Sequence, residues 1–511
     1  MKFNLTALSA AAAVLLASPA FADVTIYITG STAFRAATSN AILHKMSFAG
    51  GQGYAFTGTS FTGSNNQVFV GSVTGITGTV TVKTNWSGAV AGIKALTTSQ
   101  SLSFLDYPAT TGTAYTLNSS TGTASVNANN LNTTSVADVS MADNWQASTS
   151  YTNPSLTGGG VVGVVPFAWV SSASAPSGLT NMTPQLARSL FSSGFCSAAL
   201  FTNNPADASD QSAGAMVYAI GRDPLSGTRL VTFAESGIGI FSAVAQYQPS
   251  VNGVNGSTVN GISGTTITNI NQTAIDASIP TTSPGQTGYG SGGTLADTLR
   301  YTTTSVTDDT LGTLVGGQAT PTGYMCFVSY LGESDASRAV NGIGSGVLAN
   351  TNVGCRYLSY NGVSAFGGAV VTVTGNVDAS GNITLTSGTT TGLIVGQLVR
   401  SNGLVGDSYI TSITDSTHFA VSNPPGTAYT VGSGLSISTS NLLPKAIWDG
   451  AYTMWGYERI LWKSTLAGDK LTFANALKTQ ITTVDYFSSG LNVTNMRVNR
   501  TTDGGNVTQT Y

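Results

Sequence analysis

The chain has 511 residues with a formal net charge of −3, 41% hydrophobic and only 8% charged. That hydrophobic content excludes a disordered chain, and the charge balance excludes the basic footprint of a nucleic-acid binder. Two histidines (His44, His418) and three cysteines (Cys196, Cys326, Cys355) are too few for most zinc or haem sites, so no cofactor or metal is expected.

Residues 1–22 read as a secretory signal: Lys2 gives the positive start, Leu5 to Ala17 the apolar stretch, and Ala20-Phe21-Ala22 a cleavage site before Asp23. No cysteine follows to carry a lipid, and no later run approaches the 18 or so apolar residues of a membrane span. The expected location is the periplasm or the medium. Disulfides form there, and three cysteines leave at least one thiol unpaired. Cys326 and Cys355, near each other in the chain, are the expected pair; buried free thiols are an equal alternative.

Val24–Ile28 is expected to be a strand, and Gly30-Ser31-Thr32 opens a helix carrying Phe34, Ala37, Ala41 and Ile42 on one face. Stretches rich in Gly, Thr, Ser and Asn at 50–81, 110–136 and 250–275 read as long loops or added hairpins. Val161–Val170 is a buried strand; Met216–Ile220 is another, followed by a helix from near Thr228 to Gly237. Between 367 and 440 come short β-prone runs (370–373, 382–385, 408–410, 418–421, 435–437) separated by turn residues, which predicts a small all-β module. Its segments TGLIVGQLV and SYITSITDSTHFAVS resemble small β repeats of bacterial surface and phage tail proteins. Lys445–Trp462 is expected to be an aromatic helix that packs Trp448, Tyr452, Trp455, Tyr457 and Trp462 into the core. Outside the module the alternation of strands and helices predicts an α/β protein with sheets covered on both faces.

Two strand-to-helix junctions carry chemistry. At Ile28–Phe34 a hydroxyl pair sits where a helix begins, a place whose free N–H groups and dipole attract an anion; ordinary N-capping by Ser31 or Thr32 is the competing reading. At Ala219–Thr228, Arg222 precedes Ser226-Gly227-Thr228. The guanidinium offers a bidentate contact to a tetrahedral oxyanion, Gly227 permits close backbone approach, and the two hydroxyls donate. The loop has no lysine and no GxxxxGK[ST] spacing, so it is not a nucleotide P-loop. A short strand delivers Asp143 to a loop before Asn144-Trp145. Gly288–Gly293 satisfies GxGxxG with no strand before it, which argues against a dinucleotide site. Neither histidine lies in a nucleophile motif and no G-x-S-x-G occurs, so an enzyme is not expected.

In chain order, ITGSTAF, WSGAVAGIKAL, DVSMAD, VVGVVPFAWV, GRDPLSGT, GQTGYGSGG and PTGYMCFVSYLG resemble the phosphate-binding proteins of phosphate ABC importers, within the type II periplasmic solute-binding proteins. The resemblance spans 24–360 and 443–465. It implies a two-lobed α/β fold that binds inorganic phosphate or a related oxyanion between the lobes and serves an ABC importer membrane complex. Carried over, the ligand residues are Ser31, Thr32, Phe34, Ser87, Asp143, Arg222, Ser226, Gly227 and Thr228. Two departures stand out: Ala33 is inserted between Thr32 and Phe34, and Ser87 is offset from the family's serine. The expected division is 23–165 with 441–511 as lobe one, 166–366 as lobe two, and 367–440 as an inserted module suited to self-assembly or surface contact. The competing expectation is a secreted structural or adhesive protein that reuses this scaffold.

Overall fold

The computed structural model describes residues 23–208, 214–251, 266–272, 287–300, 302–303, 324–342, 354–401, 404, 406–422 and 431–510. The signal segment 1–22 and parts of the 250–275 stretch lie outside the described residues.

The chain opens with β1 (Val24–Gly30), α1 (Arg35–Lys45), β2 (Gly53–Phe56), β3 (Asn66–Gly71), β4 (Val80–Asn85) and α2 (Ala89–Thr98). Strands β5 (Ser101–Phe104) and β6 (Thr133–Val136) form a ribbon before β7 (Val139–Ala142) and the 12-residue β8 (Gly160–Ser171). There follow β9 (Asn181–Met182), α3 (Pro184–Ser193), β10 (Phe195–Ser197), α4 (Ala199–Thr202), β11 (Ala215–Ala219) and α5 (Gly227–Glu235). Next come β12 (Tyr247–Val251), β13 (Thr266–Gln272), α6 (Gly292–Leu299), β14 (Thr302–Thr303), β15 (Tyr324–Gly332), α7 (Glu333–Asn341) and β16 (Arg356–Tyr360).

One large sheet runs β10-β11-β15-β8-β23-β7-β1-β4-β3-β2, where β23 is Trp455–Leu461. Strands β7, β1 and β4 are mutually parallel, as are β11 and β15. The apolar run of β8 is buried along nearly its whole length, the mark of a strand covered on both faces. Its first part, Gly160–Pro166, pairs with β23; its second, Phe167–Ser171, pairs with β15. Pro166, which has no N–H to give a ladder, stands where the partner changes. Helix α2 packs on β1 and β7, and α9 (Gly468–Thr483) on α1, β1 and β8. The Gly- and Thr-rich 50–81 stretch is an added hairpin, β2–β3, that widens the sheet beyond β4.

Between β16 and the last part of the chain stands a closed barrel: β17 (Thr372–Val377), β18 (Asn382–Ser387), β19 (Leu398–Ser401), β20 (Ser408–Ile413), β21 (His418–Val421) and β22 (Gly432–Thr439). It buries a core of its own that includes Val377, Ile383, Val399, Ile410, Phe419 and Ile437. The two ends of the insertion meet: Phe366 bridges Leu442, and the Gly367 N–H donates to Asn441 O at 2.7 Å. The barrel rests on the body through Arg400 Nη2 to Gly490 O (3.0 Å) and the Asn492 N–H to Asp407 Oδ2 (2.7 Å).

Two expectations are corrected. Lys445–Trp462 is not one helix. A short α8 (Pro444–Trp448) stops before Gly450, whose φ of +78° no helix accommodates, and β23 follows. The aromatic residues are buried in the core as expected, but they serve as central-strand residues, which suits their β preference. Cys326 and Cys355 are not joined; all three cysteines are free. β15 and β16 lie on opposite edges of β8, so the two thiols stand about two strand spacings, ~10 Å, apart, beyond disulfide reach. Among the described residues no helix is long and apolar enough to cross a membrane.

Candidate functional site

The carboxyl ends of the parallel strands β4, β1 and β7 lie side by side, and Ser87, Ser31 and Asp143 follow them directly. In the other half, the carboxyl ends of β11 and β15 lead into the turn Arg222–Gly227 and into α7. Ligands of α/β sheets bind outside such strand ends, and here the two sets face each other. The Ala91 N–H of α2 donates to Leu225 O at 3.2 Å, and Gly227 lies against Asp143.

Gly30 turns β1 into α1 with φ +118°, and a side chain there would overlap the Met141 backbone. The Ser31 N–H then donates to Met141 O at 2.8 Å. Ser31 is buried; its Oγ accepts the Phe34 N–H at 3.3 Å, which is the ordinary capping contact. The Phe34 ring is in the core. Thr32 is half-buried and lines a crevice of about 30 Å³ with Arg35, Gly332 and Asp335. Ser87 Oγ is 2.9 Å from Thr29 Oγ1, a hydroxyl pair at the mouth of α2.

Ser226 is the N-cap of α5 and accepts the Arg229 N–H at 3.3 Å. The N–H groups of Gly227 and Thr228, in the first turn, have no partner among the described residues. A side chain at Gly227 would overlap Asp143 Oδ1 and come within 2.7 Å of Ala89 Cβ, so only glycine lets this helix start reach the carboxylate. Arg222 is 2% exposed. Its Nε donates to Tyr289 O at 2.9 Å and its Nη2 to Gly290 O at 3.0 Å, while Nη1 makes no hydrogen bond among the described residues. The GxGxxG stretch thus serves to hold Arg222. Asp143 is buried, with Oδ1 unpartnered. Burial pushes its carboxyl up to about 7; the Arg222 charge opposes this, Asp503 adds to it, and the Ser31 hydroxyl opposes it to a smaller extent.

Three residues at this junction carried no sequence signal strong enough to single them out. Arg35, at the start of α1, donates from Nε to Thr62 O at 3.1 Å and from Nη1 to Asn65 Oδ1; desolvation lowers its guanidinium to about 10. Asp335 on α7 is raised by burial, with Arg222, Arg35 and Arg338 opposing. Glu458, fully buried on β23, stands beside Ser31 and Asp143. Its only signal was a carboxylate inside an apolar, aromatic run. Among the described residues no group of three or more His, Cys, Asp or Glu is placed to hold a metal ion.

No protein-family model matches the chain, and no curated protein matches its sequence. Among solved structures it is distantly similar to a Clostridium perfringens protein assigned as a phosphate ABC transporter substrate-binding protein, solved with bound phosphate. The identity is 10% and the TM-score 0.37, over 92% of this chain and 100% of that one. It is also similar to an ABC-type phosphate transport receptor from Vibrio cholerae, at 11% identity and a TM-score of 0.30, over 89% of this chain and 94% of that one.

Proposed function

We propose that the chain is an exported solute-binding protein that holds phosphate, or a related tetrahedral oxyanion, between two lobes and delivers it to a membrane import complex. One observation carries this reading. The strand ends of the two halves face each other, and an α5 start with two free N–H groups, the anchored Arg222, Ser31 and an unpartnered Asp143 Oδ1 converge there. Free first-turn N–H groups and a guanidinium are the donors an oxyanion needs. In this reading lobe one is 23–165 with 441–511, lobe two is 166–366, and β8 carries the chain between them near Pro166. Gly227, Thr228 and Arg222 hold the anion from lobe two, with Ser226 shaping the helix start. Ser31, Thr32, the Phe34 backbone, Ser87 and Asp143 meet it from lobe one.

Titration calorimetry of the refolded, ligand-free protein with phosphate and sulfate tests the proposal. Saturable phosphate binding is expected. Absence of heat with either anion at about millimolar concentration sinks this reading and favours the structural or adhesive role, which the barrel's surface would then serve.

A further inference from the structure

Glu458 pairs with Gly163 of β8 in a strand at the middle of the sheet. It is fully buried, and neither carboxyl oxygen has a hydrogen-bond partner among the described residues. Native proteins rarely leave buried polar atoms in this condition, and each such group calls for an explanation. Here two features coincide with it. The ladder between β23 and its neighbour is irregular between Glu458 and Arg459, and bulges of this kind re-aim side chains beside functional sites. Arg459 stacks on Trp145 at 3.3 Å. Arg459 pairs with Ala142 and Gly30 with Met141, so Glu458 stands next in register to Asp143, whose Oδ1 is also unpartnered, at the end of the sheet where Ser31 follows β1.

The groups that face this pair come from four elements: Ser31 after β1, Asp143 after β7, and, beyond Asp143, Arg222 from the turn before α5 and Asp503 from the C-terminal segment. Arg222 acts on Asp143; at Glu458 the Ser31 hydroxyl is the opposing group, and no cation among the described residues offsets the carboxyl. Burial, reinforced by Asp143, holds the Glu458 carboxyl well above the ordinary carboxylate range. A carboxyl held in its neutral form has one O–H to donate.

We infer that Glu458 is a second carboxyl of the anion site, donating its O–H to an unprotonated oxygen of the ligand while Asp143 accepts the ligand's own proton. The inference rests on the oxyanion reading above and adds to it a donor from β23. The orphaned carboxyl oxygens are then atoms left unsatisfied until the ligand arrives, a local cost in stability kept for binding.

The test is calorimetry with phosphate between about pH 6 and pH 9 on wild type, Glu458→Gln and Glu458→Leu, with a melting curve for each ligand-free protein. Asp143 and phosphate titrate in this range in every variant, so the readout is wild type against Glu458→Gln: wild-type affinity should fall tenfold or more relative to that variant between pH 6 and pH 9. Glu458→Gln keeps a donor at every pH, so it should bind within about threefold of wild type at pH 6 and bind tenfold or more tighter than wild type at pH 9. Glu458→Leu should weaken binding tenfold or more at pH 6 while its ligand-free form melts higher than wild type. Identical pH profiles for wild type and Glu458→Gln, or wild-type affinity in Glu458→Leu, overturn the inference and leave oxyanion binding standing. Should Glu458→Leu fail to fold, the Glu458→Gln profile decides alone. Wild type that binds no anion overturns the parent reading, and this one with it.

Discussion

An ionised carboxylate next to a bound tetrahedral oxyanion repels it unless a proton lies between them, and on the oxyanion reading proposed above that condition would fall on Asp143. Hydrogen phosphate supplies the proton; sulfate leaves an oxygen facing the carboxylate without a donor, a mismatch worth about 1–3 kcal/mol. Phosphate should therefore bind about 5- to 150-fold tighter than sulfate, Asp143→Asn should narrow that gap, and Arg222→Ala should weaken both anions. Competition between the two anions in calorimetry measures this, and equal wild-type affinities would remove Asp143 from the site. The same residue sets a pH response. Its carboxyl is raised to about 7, and those of Asp407 and Asp503 to about 6, in each case first by burial. Between the ordinary carboxylate range, about 4, and these values the folded chain binds more protons than the unfolded one, so stability falls as pH rises. Ligand-free protein should melt higher at pH 5 than at pH 8, and Asp143→Asn should flatten the slope. A melting temperature that climbs over this range contradicts the assignment. The Arg222–Thr228 group was legible in the sequence because an arginine, a glycine and two hydroxyls crowd one helix start. Glu458 was not, because its meaning comes from Ser31 and Asp143, both more than 300 positions away in the chain.

Helix α5 begins against the opposite half at a glycine, Gly227. Gly227→Ala puts a methyl where Asp143 Oδ1 and Ala89 lie, while alanine at the first helical position is a better helix former than glycine. The fold should survive, with a melting temperature within a few degrees of wild type. Phosphate affinity should drop at least tenfold because the two strand-end surfaces can no longer approach. Unchanged affinity would place the anion elsewhere. The long elements were the most legible: β8 announces itself by an apolar run that only a doubly covered strand explains, and the barrel by short β-prone runs between turns. The aromatic stretch misled because burial on all sides erases the periodicity that separates helix from strand. Only the left-handed turn at Gly450 and the pairing with β7 and β8 decide it.

Across the whole molecule, the C-terminal segment ties the two walls of the site together from behind. Asp503 accepts the Trp145 N–H at 2.8 Å, two residues from Asp143, and Arg500 Nη1 meets Glu235 at the far end of α5 at 2.9 Å. The Arg500 side chain is 1% exposed, also donates to Thr453 O, and covers the Trp455 ring. Removing one partner of a buried ion pair costs about 3–5 kcal/mol, so Arg500→Ala should lower the denaturation midpoint by a corresponding amount in urea; a midpoint equal to wild type would show the pair to be idle. The barrel, by contrast, should be dispensable for binding. Replacing 367–440 with a short Gly/Ser linker removes the Arg400 and Asp407 contacts with the body but no residue of the strand-end surfaces. Phosphate affinity should stay within about threefold, and joint loss of binding and of the folding transition would make the barrel part of the core. The meeting of Phe366 with Leu442 has a consequence for descent as well. An insertion that leaves and re-enters at one point does not alter the path of its host, so one recombination event is enough to add, delete or exchange such a cassette. Related chains should then differ most between these two positions, with barrels of other lengths or none, while the strand ends on either side keep their register.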